Sequence, residues 1–68
     1  MRTLTANQFE ALQLAARGLT YKQIGRRLGI STVSVGSRIF DACRNLEAAN
    51  VTHAVALAVQ RGLIRVED

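Results

Sequence analysis

Three cations, Lys22, Arg26 and Arg27, stand just ahead of a run of small residues, Thr32, Val33, Ser34, Gly36 and Ser37, with Arg38 and Arg44 further along. Cations of this kind position phosphate oxygens, and short polar or apolar side chains can touch base edges, so the pattern fits a contact with double-stranded DNA. The same Arg26 and Arg27 would also suit a merely solvated helix face. Val33 and Phe40, seven residues apart, make a small apolar patch that fits thymine methyls or an apolar protein surface. Phe40 could equally pack against a neighbouring helix.

Other chemistry is poorly served. No paired carboxylates, nucleophile with a base, or phosphate-cradling glycine loop can be assembled, so no catalytic residues and no enzyme are expected. One cysteine and one histidine exclude a clustered structural zinc site, and no metal or cofactor is expected. Cys43 reads as a small core hydrophobe, and His53 as a surface or interface residue.

Four helices must position the candidate residues. Proline is absent and strong helix formers dominate, which predicts an all-α fold. Thr5 with Gln8 and Thr20 with Gln23 fit capping boxes that open helices one and two. The first carries the stripe Phe9, Leu12, Ala15, Ala16 and Leu19 and ends near Gly18. The second is short, with Ile24 and Leu28 inward and Gly29 as its left-handed stop. Ser31 caps a long third helix with a core stripe of Val35, Ile39, Ala42, Cys43 and Leu46. Thr32, Val33, Gly36, Ser37 and Phe40 then point outward.

A fourth segment starts around Asn50 or Thr52 and runs to Arg61, with Gly62 as its stop. Its apolar residues nearly encircle it, so it needs two partners: its own domain and the same helix of a second copy. Val51, Ala54, Val55, Leu57 and Ala58 are the expected dimer contacts. A strand over Ala54 to Val59 is disfavoured by three alanines and the lack of a second strand.

The chain has 68 residues, enough for one domain with a thin core and no disulfide to staple it, which favours self-association. It is 49% apolar, too hydrophobic for disorder. Nine basic against five acidic residues give a net charge of +4, suited to a polyanion. No leader and no membrane-spanning run is found, so a cytoplasmic location and no membrane partner are expected.

A short helix, a tight turn at Gly29 and Ile30, and a long helix opening on hydroxyl residues form helix-turn-helix grammar over about residues 20–47, followed by the dimerisation helix at about 51–61. Residues 4 to 64 resemble, without gaps, the DNA-binding domain of the LuxR/GerE family of bacterial regulators. The resemblance is carried by Leu4-Thr5, Gly18-Leu19-Thr20, Ile24, Leu28-Gly29-Ile30-Ser31, Ser34-Val35, Leu46, Ala54-Val55, Ala58 and Gly62-Leu63-Ile64. It implies a four-helix domain whose third helix reads DNA and whose fourth pairs two copies, here as a stand-alone, GerE-like member.

Part of the chain is also similar to region 4 of bacterial sigma factors, through Gly18-Leu19-Thr20-Tyr21, Ser37-Arg38-Ile39 and Ala42-Cys43-Arg44-Asn45-Leu46. The fourth helix favours the LuxR/GerE pattern. The chain departs from that pattern at Gly36, where a lysine is common, and at Asp41 and Asn45, where basic residues are frequent. Asp41 is expected to pair with Arg38, Arg44 or Asn45. The weakened basic face leaves a second reading open: a protein-interaction module that binds or antagonises RNA polymerase or another regulator.

Overall fold

A computed structural model describes residues 4–65 of the chain. Its four helices are α1 (Ala6–Ala16), α2 (Tyr21–Leu28), α3 (Thr32–Leu46) and α4 (Val51–Gln60), and the described residues include no strand. The helical starts follow from local chemistry. Thr5 and Thr20 each form the full reciprocal capping box, with the Gln8 and Gln23 amides donating to the threonine hydroxyls at 3.2 Å and the glutamine side chains accepting in return. Ser31 Oγ accepts from the Ser34 amide at 3.1 Å, and Asn50 Oδ1 accepts from the His53 amide at 2.9 Å. His53 itself is exposed, and its Nδ1 accepts from the Ala49 amide, so the ring closes the α3–α4 loop.

The core is built from Leu12, Ile24, Val35, Ile39, Ala42 and Leu46, all buried as their spacing predicts, together with Ala11, Leu14, Ala54, Ala58 and Ile64. The expected α1 stripe needs correction. Phe9 is 40% exposed, while Ala11 and Leu14 are buried. The cause is tertiary: α1 packs against all three other helices, so its buried arc is wider than the single face that one stripe describes. Cys43 is half-buried rather than fully enclosed, and desolvation raises its thiol above the ordinary value.

Two polar clasps hold the ends of this small core. Asn45 Nδ2 on α3 donates to Gln8 Oε1 at 2.6 Å, and the same oxygen accepts from the Thr5 amide, joining the α1 cap to the far end of α3. Asn45 is thereby committed to α1 rather than to Asp41, and among the described residues no ion pair joins Asp41 to Arg38 or Arg44. Gln13 brackets Arg65, donating to its carbonyl and accepting from its amide, which closes the chain end over α1 beside buried Ile64.

The turn between α2 and α3 depends on Gly25, which the sequence pattern did not single out. A Cβ there would stand 2.7 Å from the Ile30 carbonyl oxygen and 3.6 Å from Val35 Cγ2. Gly29 takes the left-handed conformation at φ 72° that stops α2, and its amide, with that of Ile30, donates to the Gly25 carbonyl.

Gly25→Ala and Gly36→Ala should therefore move stability in opposite directions. Alanine adds about 1 kcal/mol of helix propensity at either site. At Gly25 the clash with backbone costs about 1–3 kcal/mol and outweighs that gain, so Tm in a thermal unfolding experiment should fall by several degrees. No atom lies within 4 Å of a Cβ built on Gly36, so its Tm should rise. Shifts of the same sign would contradict the close approach at the turn.

Candidate nucleic-acid interface

The interface is built on α3 and flanked by α2. At 3.6 residues per turn, Val33, Gly36, Ser37, Phe40 and Arg44 gather on one side of α3, opposite the buried stripe of Val35, Ile39, Ala42 and Leu46. The exposures agree: Val33 is 81% and Phe40 62% exposed, and Ser37 and Arg44 are also open to solvent. Gly36 adds bare backbone between them. The steep turn at Gly25 and Gly29 is what keeps this face clear of the domain.

Two of the proposed contact residues lie off that face. Ser34 and Arg38 sit roughly 100–140° around the helix from Val33. Ser34 is exposed but shares a hydrogen bond with Ser31 Oγ at 3.0 Å, and Arg38 is half-buried. Thr32 is exposed on the opposite flank. Arg44 lies over the Phe40 ring, its guanidinium carbon 6.0 Å from the centroid, at the limit of a cation–π contact. The apolar patch and one of its cations are thus a single unit.

The cationic part belongs chiefly to α2. Lys22, Arg26 and Arg27 are all exposed, the last two in the final turn, where they also complement the negative end of the helix dipole. No acidic residue is present in α2, whose eight residues carry three positive charges; Arg27 also borders a hollow with Phe9, Glu10 and Leu14 of α1. Arg26 and Arg27 line a shallow depression with Leu19 and Gln23. A backbone-binding role needs cations free to reach phosphates, and this helix supplies them.

A groove missed by the sequence reading runs beside Phe40. Tyr21, the first residue of α2, forms one wall, with Gly36, Cys43 and the α3–α4 loop up to Val51 opposite. Tyr21 and Val51 also border a second apolar hollow lined by Ala15, Ala16, Leu19 and Val55. The sequence placed Tyr21 in a family motif but not in a groove, because its neighbours there come from α1 and from the α3–α4 connection.

The expected dimer face requires a correction. Ala54 and Ala58 are 0% exposed, facing the domain's own core, and cannot touch a second copy without opening that core. Val51, Val55 and Leu57 are half-buried, and Leu57 stands on the flank opposite Val55. The outward face of α4 is made instead by Thr52, Ala56 and Val59, with Val55 at its margin; Val59 is 40% exposed. Among the described residues there is no group of three or more His, Cys, Asp or Glu able to hold a metal, and no helix is long and apolar enough to cross a membrane.

Comparison with known proteins places this geometry in context. The family described as sigma-70, region 4 matches residues 1–46, a span that ends with α3. Similar sequences extend through α4. RpaR of Rhodopseudomonas palustris, an HTH-type quorum sensing-dependent transcriptional regulator, is 44% identical over 93% of this chain and 26% of its own length. CarR of Pectobacterium carotovorum subsp. carotovorum, a transcriptional activator, is 38% identical over 88% of this chain and 25% of its own. The chain thus spans about a quarter of the length of these curated relatives. Among solved structures, the transcription factor GerE matches with a TM-score of 0.88 at 25% identity, covering 97% of this chain and 100% of that one. VqmA of Vibrio cholerae, described as a dimer and a LuxR-type receptor, matches at 0.88 and 26% identity over 97% of this chain and 31% of that one.

Proposed function

As the chain belongs to the sigma-70 region 4 family and is a LuxR/GerE-like helix-turn-helix domain, we propose that it is a sequence-specific DNA-binding transcription regulator acting as a homodimer. The observation that carries this reading is the exposed outward face of α3 next in sequence to three exposed cations on α2. In this arrangement α3 enters the major groove while Lys22, Arg26 and Arg27 hold the phosphate backbone. Val33 and Ser37 face the base edges, with Thr32 on one flank. Ser34 and Arg38, turned to the flank, contribute to backbone or to the fold.

The size of the domain supports a two-fold arrangement. Its extents are 29 × 26 × 19 Å, small enough for two copies to occupy half-sites one helical turn, ~34 Å, apart. The exposed Ala56 and Val59 on α4, with half-buried Val55 at their margin, offer the contact. VqmA, a dimer by its description, shares this fold. A thin core of alanines and a few large aliphatics also favours association.

A second reading rests on Phe40, whose 62% exposure beside the groove with Tyr21 suits capture of a protein partner such as RNA polymerase or another regulator.

Selection of bound duplexes from a random library at physiological salt should enrich a palindrome with half-sites about one turn apart. Replacing Arg26 and Arg27 together by alanine should weaken binding evenly across sequences and lessen the slope of log affinity against log salt by about two per protomer. A folded protein that enriches no duplex would refute the reading.

Val59→Glu should give a folded monomer in analytical ultracentrifugation, with much weaker binding to the palindrome. A dimer that survives the change would rule out this face of α4.

Phe40→Ala should fold normally, because the ring is exposed. Loss of affinity for the selected duplex would assign Phe40 to DNA; intact DNA binding with loss of polymerase or regulator capture in a pull-down would support the second reading.

A further inference from the structure

We propose that Val33 is a specificity-determining residue that reads the C5-methyl group of thymine, so that each half-site of the operator carries a thymine whose methyl, rather than its hydrogen-bonding edge, is required. The inference rests on the DNA-binding reading above and goes beyond it to the chemistry being read.

The first turn and a half of α3 presents an unusual set of groups. From Thr32 to Ser37 it holds no Arg, Lys, Asn, Gln, Asp or Glu. The side chains that make bidentate contacts with guanine or adenine, or accept from cytosine, are therefore absent from the part of a recognition helix that reaches deepest into the groove. The hydroxyls of Thr32 and Ser37 can bond to any base edge and discriminate little. The most exposed of the large apolar side chains is Val33, 81% exposed on the outward face and so little packed against its own domain.

Gly36 gives that exposure its effect. One turn along the same side, a Cβ would meet no atom within 4 Å, so the helix presents bare backbone there and can lie close to the groove floor. The next charged side chain, Arg38, is half-buried on the flank, and Arg44 is engaged with Phe40 at the far end of the helix. The phosphate-binding cations on α2 bring DNA to this surface by charge complementarity. In the major groove an unmodified duplex offers an apolar partner only at thymine, so an apolar side chain held close to the floor selects that base.

The test uses deoxyuridine, which pairs like thymine but lacks the methyl. Random duplex libraries are made with thymidine and, separately, with deoxyuridine, and the duplex enriched by the wild-type protein is then remade with deoxyuridine at one thymine at a time. At one position per half-site the wild-type protein should lose about fourfold in affinity, the magnitude of one buried methyl, and Val33→Ala should bind thymine and deoxyuridine duplexes equally. Circular dichroism of Val33→Ala should match the wild type, since the side chain is exposed. Equal wild-type affinity for both duplexes overturns the proposal, as does a Val33→Ala protein that keeps the thymine preference. A folded wild-type protein that enriches no duplex overturns the DNA-binding reading itself, a distinct result from enrichment without methyl dependence.

Discussion

The approach of two stretches of backbone at Gly25 governs the rest of this domain. The Ile30 carbonyl oxygen comes to within 2.7 Å of the position a side chain would occupy on α2, and the Gly25 carbonyl accepts the Ile30 amide at 2.9 Å. This contact, with the left-handed Gly29, sets the angle at which α3 leaves α2. A wider turn would leave Val35 and Ile24 unable to share the same core, and would tilt the first turn of α3 back toward the domain. The exposed face used for binding and the buried face used for folding are therefore two results of one backbone approach.

That approach constrains a core with little to spare. Of the four largest fully enclosed side chains, Leu12, Ile24, Leu46 and Val35, three lie on α2 and α3. On α4 the enclosed residues are Ala54 and Ala58, whose small size lets that helix lie close to α1 and α3 while its larger residues, Val55 and Val59, remain toward solvent. The core thus draws on one face of this helix and leaves the other open. The Gln8–Asn45 and Gln13–Arg65 clasps then fix both ends without placing a charge inside. Such an arrangement tolerates changes on the binding face better than changes at the turn, because the face contributes almost nothing to the core.

Local signals were legible and non-local ones were not. Thr5 with Gln8, Thr20 with Gln23 and Ser31 marked three helix starts because a cap is settled within three residues of chain, while the fourth was open between Asn50 and Thr52 until the structure placed the cap at Asn50. The outward set on α3 was legible because its buried residues, Val35, Ile39, Ala42 and Leu46, fall on one side of the helix even though it touches all three others. The dimer contacts on α4 were not separable, since an alanine that faces a core and one that faces a partner look alike in a helix apolar most of the way round. Gly25 and Gly36 make the same point more sharply: both are glycines in helix interiors, and only the presence of Ile30 beside one and open space beside the other distinguishes them. Glu47 adds a further case, a non-glycine residue at φ 57° ending α3 where sequence rules look for glycine or asparagine.

The separation of charge from selectivity follows from the same geometry. Cations within the recognition helix would strengthen binding to every sequence along with the preferred one, because phosphates are common to all duplexes. Here the positive charge lies on α2, and the leading turns of α3 carry only methyls, hydroxyls and bare backbone. Affinity and discrimination are then physically distinct: salt acts on the first and leaves the second largely untouched, since apolar contact is not screened.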